Sequence, residues 1–475
     1  MSETEFEELC NGFFRMEADL NLLNQRIAGV FFWERIRLGV FKRIAAQRDI
    51  SEQSAGESSS YREYLDGVRL LLKNTVVRNP YVAPESSLLF YGKGRRKKLD
   101  DGRWWDIYID PILEDIEGTH VCLERSYNVS HAQPARTEEL RYTDLIQYTG
   151  TLLQKLGVSS ISLSTADEAL LARIESVIQN RFGADIPVQE MVIEDLGQRK
   201  VCLPLYSRLL GRIDPEIAFL TSAYFGRETF VEACKSRDVP VAELQHGVIS
   251  RYHMAYSFPG DDKHVFPDYF FSFGEYWSDV VDLPTPEENV IPIGYPYLEK
   301  QAREYRDFES VDQVLVVSQV RVGDRLSQFA VDLASAIDSD IVYKLHPKEM
   351  DNWEERYPNL QCAPVSVVAG ETPLYELLAK SRIQVGVNST VLFEGLWFDL
   401  ETFVLDESGR EYMGYLIESG NAILIDSVED FLSYRTTEDV QTTLDPSYFF
   451  EPQPVANFER AVATIAERRG KDKVL

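Results

Sequence analysis

The sequence predicts an α/β protein of two Rossmann-like domains with an N-terminal helical arm. Three observations lead there. From about residue 86, short apolar runs alternate with helical stretches, the pattern of a parallel sheet covered on both faces. After Gly294-Tyr295-Pro296 the alternation begins again. At 475 residues the chain also exceeds what one hydrophobic core ordinarily spans. The expected division is an arm and linker over 1–60, a first domain over 61–300, and a second over 301–475 that includes a closing helix.

The arm comes first. Between 12 and 48, Phe13, Leu20, Leu23, Ile27, Trp33, Ile36, Val40, Phe41 and Ile44 recur at helical spacing. The stretch Phe31-Phe32-Trp33-Glu34-Arg35-Ile36-Arg37 mixes aromatics with arginine, which suits either a peripheral seat at a membrane interface or packing on the protein body. Packing is the expected use. Residues 51–60, rich in Ser and poor in apolar side chains, read as a flexible linker.

In the first domain strands are expected at 88–91, 120–123, 217–221, 239–244, 269–273 and 290–293, with helices at 143–156, 166–181 and 227–236. Gly92-Lys93-Gly94-Arg95 follows the first strand as a substrate loop, without a Walker ending or a full dinucleotide fingerprint. The run Val239-Pro240-Val241-Ala242-Glu243-Leu244 ends in Gln245-His246-Gly247. That ending sets an imidazole at a sheet edge beside a glycine, which permits a tight turn or close approach of a ligand. A turn histidine with no task is the plain alternative. The aromatic connection after it, with Arg251, Tyr252, His253 and Phe258-Pro259-Gly260, has the make-up of a binding loop.

Strands of the second domain are expected at 313–317, 340–345, 383–387, 402–405 and 422–425, and a closing helix at 457–468. One strand ends in His346-Pro347, another in Asn388-Ser389-Thr390 with a helical pattern directly after. Hydroxyl residues opening a helix aim unpaired N–H groups at one point, where a phosphate sits favourably. In a parallel sheet, ligands collect outside the carboxyl ends of strands, so the two endings can serve one crevice. Ser318-Gln319 can add contacts to the phosphate or cap a helix. Glu394, one turn into the helix, can accept both hydroxyls of a ribose, its plain alternative being a helix-surface carboxylate. Arg321 and Arg325 stand nearby in sequence.

Composition narrows the classes. The formal net charge is −28, and only 15 of the 49 basic residues are Lys. An acidic, Lys-poor surface suggests a salt-rich, halophilic setting, because at molar salt the Debye length falls to about 3 Å and self-repulsion is screened. No basic face suited to nucleic acid is visible outside Arg95-Arg96-Lys97-Lys98. The five cysteines show no CxxC spacing, so neither zinc nor a disulfide framework is expected. The acidic start lacks a basic-then-apolar leader, and no uncharged apolar run of about 18 residues occurs. A cytoplasmic protein is expected, with peripheral contact at the inner membrane face as the one attachment the arm would allow.

His246-Gly247, His346-Pro347 and Ser389-Thr390, in that order and at strand ends, resemble the two-domain GT-B glycosyltransferases of surface and capsule polysaccharides, relatives of CDP-glycerol glycerophosphotransferases and bacterial sialyltransferases. The resemblance covers roughly residues 86–440. It implies His246 as the base that deprotonates the acceptor hydroxyl, and His346 with Ser389-Thr390 as the grip on the donor phosphate. The glycerophosphotransferases typically carry Trp-His-Gly and then a Thr-Pro segment, whereas this chain has Gln245-His246-Gly247 and Val248-Ile249-Ser250. That departure counts against glycerol-phosphate transfer. The sialyltransferases' acidic pair has a counterpart in Asp100-Asp101-Gly102, whose plain reading is a surface turn.

Glycosyl transfer needs a base for the acceptor proton and donors for the leaving phosphate. No Asp-x-Asp-like cluster stands at a strand end in the second half, so neither a metal nor a cofactor is assigned. The expected function is metal-independent transfer of a sugar from a UDP- or CMP-linked donor to a glycan or lipid-linked acceptor. The expected site residues are His246, Gly247, Ser318, Gln319, His346, Pro347, Asn388, Ser389, Thr390 and Glu394. The alternatives are a glycerophosphotransferase, a non-hydrolysing sugar epimerase, and a non-catalytic nucleotide- or glycan-binding subunit.

Overall fold

The computed structural model describes residues 4–48, 50, 61–127, 129–258, 263–370, 372–437 and 445–470. The expected linker at 51–60 lies outside them, as do Pro259 and Gly260. The chain forms two compact units, one built mainly from Glu8–His246 and Ser250–Pro296, the other mainly from Tyr297–Pro452.

The N-terminal unit is organised by a seven-stranded sheet: β1 (Leu88–Gly92), β2 (His120–Glu124), β3 (Leu140–Tyr142), β4 (Ile217–Leu220), β5 (Val241–Leu244), β6 (Tyr269–Ser272) and β7 (Val290–Pro292). All its pairings are parallel, in the order β7-β6-β5-β4-β1-β2-β3. Strands β1, β4 and β5 are buried at every position, as expected of a sheet with both faces covered. The order reverses between β1 and β4, the switch point where such sheets open a crevice.

The sheet of the C-terminal unit has six parallel strands: β8 (Gln313–Val317), β9 (Asp340–Lys344), β10 (Val365–Val368), β11 (Ile383–Gly386), β12 (Glu401–Leu405) and β13 (Ile423–Ile425). Their order is β10-β9-β8-β11-β12-β13, the Rossmann order, with its switch point between β8 and β11. Val314, Val316, Leu326, Phe329, Tyr343, Val385, Phe403 and Phe431 form its core. The α/β class with two Rossmann-like units is therefore the observed one, and the chain's N-terminal region is helical.

Two strands of the large sheets escaped the sequence reading, as did the two short ribbons. β3 and β10 are both sheet edges of three and four residues, and β10 is partly exposed, so neither displays a long apolar run. The helix Val188–Ile213 was also missed, because Pro204 and Gly197 interrupt its pattern. The closing helix Pro454–Arg468 covers the N-terminal sheet, not the second one where sequence order had put it. Phe458 packs among Phe90, Phe219 and Phe271 of β1, β4 and β6, with ring centroids 4.9–6.2 Å apart. Asn457 Nδ2 donates to the Ile293 carbonyl at 3.1 Å. An amphipathic helix goes where a sheet face lacks cover, and adjacency in sequence does not say which face that is.

The arm is two helices, Glu5–Asp19 and Trp33–Gln47, joined through a short ribbon, Arg26–Ile27 against Val30–Phe31. Its aromatic-and-arginine stretch is buried in the unit: Phe32, Trp33, Arg35, Ile36 and Arg37 expose at most 8 % of their surface. Packing is thus what these side chains do, and the membrane-seat reading of this stretch is corrected by that burial. No helix among the described residues is long and apolar enough to cross a membrane.

Arg37 shows how the arm is held. Its guanidinium meets Glu17 through Nε at 2.8 Å and Nη2 at 2.6 Å, and its Nη1 donates to the carbonyls of Met254 and Ser257 at 2.7 and 2.8 Å. Trp33 Nε1 donates to the same carboxylate at 2.5 Å. Removing one partner of such a buried pair leaves the other charge unmatched. Arg37→Ala is therefore expected to destabilise the N-terminal unit by roughly 3–5 kcal/mol, read as a lowered denaturant midpoint of its unfolding transition. An unchanged midpoint would contradict this account of the arm.

Candidate functional site

In the C-terminal unit the residues singled out in the sequence gather at the carboxyl ends of β9, β8 and β11, three neighbouring strands. Gln319, just past β8, reaches across the switch point. Its Nε2 donates to both the backbone carbonyl and the side-chain oxygen of Asn388, and its Oε1 accepts the Asn388 N–H at 2.8 Å. A glutamine amide thus locks the two loops that flank the switch point into one platform. Gly409 is required beside it: its φ is +106°, and a Cβ there would lie 1.7 Å from Asn388 Nδ2.

Ser389 takes the N-cap position of helix Thr390–Leu396, accepting the Val391 N–H at 3.2 Å. Gly395 lets that helix sit against β11, since a Cβ would fall 2.2 Å from Gln384 Oε1. Glu394 is 5 % exposed, so the helix-surface alternative is excluded. It accepts the Tyr375 hydroxyl at 2.5 Å. Ser318 is occupied elsewhere, and its expected part in phosphate contact is corrected. Its N–H pairs with the Lys344 carbonyl at 2.9 Å and its hydroxyl with Tyr343 at 2.8 Å, both inside the sheet. Arg325 is held by Glu407 at 3.3 Å and the Asp426 carbonyl at 2.5 Å.

His346 closes β9 in a tight turn. Glu349, wholly buried, accepts the His346 N–H at 2.8 Å and the Tyr357 hydroxyl, and Lys348 N–H donates to His346 Nδ1 at 3.2 Å. A ring nitrogen that accepts from a backbone N–H carries no proton, so the neutral ring has its proton on Nε2. The turn therefore presents an N–H donor, with the exposed Pro347 stiffening the step after it. With strands about 4.8 Å apart, the His346 loop lies about 10 Å from the Asn388 loop, with Gln319 between them. Glu349 was not identified from the sequence, although an acid three residues past a turn's start is a capping-box signal.

In the N-terminal unit His246 ends β5 with only 9 % of its side chain exposed. Tyr224 Oη lies 3.1 Å from its Nε2, Tyr256 Oη lies 3.5 Å from its Nδ1, and the Tyr108 hydroxyl donates to its carbonyl at 2.7 Å. Burial first, then the positive charge of Lys93, pushes the imidazole well below its ordinary pKa, so the ring is held neutral. Glu243, three residues back on the strand, is fully buried, with Oε1 3.8 Å from His246 Nδ1. It accepts the Tyr256 hydroxyl, while its Oε2 has no hydrogen-bond partner among the described residues. Burial drives its pKa up to about 7. A carboxylate inside an apolar strand was the signal available in sequence, and it passed unread.

The loop Gly92-Lys93-Gly94-Arg95 does reach this place. Arg95 Nη1 donates to the Tyr108 hydroxyl at 2.9 Å, and burial with Arg227 nearby lowers Lys93 to about 8. The basic run is partly used internally, since Arg96 is bound to Glu124 at 2.6 Å and to Thr137 at 2.7 Å. Gly247 needs no special backbone, for its φ is not in the left-handed region and a Cβ would meet nothing within 4 Å. Asp100-Asp101-Gly102 is the turn of a ribbon, Arg96–Lys98 against Trp104–Asp106, where Asp101 accepts the Arg103 N–H at 2.9 Å.

No family model matches this chain, and no curated protein matches it. Among solved structures, the UDP-GlcNAc 2-epimerase of Methanocaldococcus jannaschii is similar with a TM-score of 0.45 at 10 % identity, over 79 % of this chain and 99 % of its own. The UDP-GlcNAc 2-epimerase of Neisseria meningitidis, bound to UDP-GlcNAc, scores 0.47 at 11 % identity over 79 % and 99 %. The wall teichoic acid polymerase TagF scores 0.43 at 11 % identity over 86 % and 99 %.

Proposed function

We propose that this protein is a glycosyltransferase that moves a sugar from a UDP- or CMP-linked donor to a glycan or lipid-linked acceptor of a surface polysaccharide. The observation that carries the reading is the Gln319–Asn388 lock at the switch point of a Rossmann-order sheet, with the His346 N–H donor one strand away. Nucleotide phosphates are held in such crevices by backbone and neutral donors, and His346, Asn388 and Thr390 supply that chemistry here. Glu394, turned inward and held by Tyr375, is assigned to the ribose. The residues recognised in sequence supply the donor half of the reaction.

His246 is assigned as the base. A neutral imidazole can accept the acceptor hydroxyl's proton in place of its contact with Tyr224, and the buried Glu243, joined through Tyr256, steadies the imidazolium that forms. Glu243 is then a positioning residue.

The donor site is tested by calorimetric titration with UDP, CMP, GDP and CDP. One nucleotide should bind tightly, and His346→Ala should weaken it roughly tenfold or more, the scale of one hydrogen bond to a charged group. Absence of binding by all four would end the nucleotide-sugar reading.

The base is tested by pH. Glu243 holds a proton below about pH 7, and then the carboxylate no longer supports the imidazolium. Transfer should accordingly fall as pH drops through about 7. In Glu243→Gln the rate should be lower but flat there, falling only well below the ordinary histidine range. His246→Gln should lose transfer by a factor on the order of 10²–10⁴ while nucleotide binding persists. Transfer retained in His246→Gln would remove His246 from the mechanism.

A further inference from the structure

A cavity of about 590 Å³ lies within the N-terminal unit. The arm helix Trp33–Gln47, the helices Asp144–Lys155 and Val188–Ile213, and the loops after β4 and β5 all contribute to its wall. Tyr224 lines it, and the Tyr224 hydroxyl is the group 3.1 Å from His246 Nε2. The cavity therefore begins one side chain away from the proposed base.

Its charge runs against that of the chain. Six basic side chains face it against four acidic ones, in a protein of net charge −28. Three of the acids are already engaged. Glu34 accepts the His264 and Val265 N–H groups at 2.8 and 3.1 Å, Glu228 accepts the Gly226 N–H at 2.8 Å, and Asp195 takes Arg35 Nε at 2.5 Å. Arg43 and Arg125 line the cavity with no carboxylate within 4.0 Å among the described residues.

A second observation points the same way. Arg35 has a side chain only 1 % exposed, and its Nη2 donates to Thr229 at 2.9 Å, yet its Nη1 makes no hydrogen bond among the described residues. A carboxylate oxygen of Glu232 lies 3.8 Å from Nη1, beyond hydrogen-bond distance. A buried guanidinium N–H without an acceptor is costly and calls for one. Arg35 is itself one of the residues lining the cavity, so an anion there would lie beside it.

We propose that this cavity holds an anionic group of the acceptor, a phosphate or carboxylate carried on a sugar, and so presents the acceptor hydroxyl toward His246. The proposal rests on the transferase reading for the word acceptor. The anion site itself rests only on the cavity, its arginines and the orphan N–H.

The test is calorimetric titration of the full chain with glucose 6-phosphate, glucuronate and glucose, on the wild type and on Arg43→Ala/Arg125→Ala. Arg125 is exposed and Arg43 half-buried, so the double variant leaves the core intact. At least one anionic sugar should bind while glucose does not. Preference for glucose 6-phosphate assigns a phosphate, and preference for glucuronate a carboxylate. The double variant should weaken that binding roughly tenfold to hundredfold, and added salt should weaken the wild type more than the variant. No binding of either anion, equal binding of glucose, or unchanged affinity in the double variant overturns the proposal. Titration with UDP and CMP on the same preparations separates the two readings. Anion binding without nucleotide binding ends the transferase reading and leaves the anion site standing; nucleotide binding without anion binding ends the site and leaves the donor reading intact.

Discussion

The N-terminal unit is organised around Arg37. Its five guanidinium N–H donors lie among one buried carboxylate and two backbone carbonyls, and its Cζ lies over the Phe258 ring at 4.2 Å from the centroid. Glu17 comes from the first arm helix, Arg37 from the second, and the carbonyls from the loop after β5. That loop also carries Tyr256, which binds Glu243 and approaches His246. One ion pair thus fixes the arm and, through the loop, the tyrosine that shapes the histidine's surroundings. A buried pair of this kind is weak evidence for net stability, because desolvation offsets much of the attraction. Its value here is geometric, since an arginine's fixed fork tolerates only one arrangement of three separate segments.

Burial does much of the electrostatic work around the candidate base. His246 and His253 are pushed down, the latter to about 4, Lys93 falls to about 8, and Glu243 rises to about 7, with desolvation the largest cause in each case. Taking a charge out of water penalises the charged form, so acids rise and bases fall toward neutrality. Lys93 and Glu243 are thereby brought near the range where protons move at ordinary pH, while the two histidines are held neutral. In the C-terminal unit the corresponding place is made from neutral amides, hydroxyls and a histidine.

The two sheets repeat one strand order, yet their switch points are furnished differently. Between β8 and β11 the chain sets Gln319 against Asn388, a closed amide pair. Beside the corresponding point of the first sheet, the segment after β4 carries Phe225 at a φ of +59° followed by Gly226 at +85°. Two successive left-handed residues turn that loop sharply, and it supplies both Tyr224 to His246 and the edge of the cation-lined cavity. The same topology therefore carries two differently furnished switch points, set by short loops.

What the sequence determined by itself was the class and most of the framework. Strand β8 is found at the expected residues, and the other central strands within two residues of expectation at either end, because a strand buried on both faces must be a continuous apolar run. The edges β3 and β10 were hidden, since a short edge strand buries little and carries no such run. His246, His346 and Asn388-Ser389-Thr390 were visible as polar residues ending apolar strands. Their partners were not. Tyr224 and Gly409 lie near them only through folding, as does Arg37 near the loop more than 200 residues away, whereas Glu243 and Glu349 stand three residues from His246 and His346 and only the fold shows that they are their buried partners. The tertiary structure also decided that the last helix covers the first sheet, that Ser318 belongs to the sheet and not to the crevice, and that the arm's aromatics are core. Periodicity along a chain reports how much surface a segment must hide, but which surface hides it depends on contacts that sequence spacing does not encode.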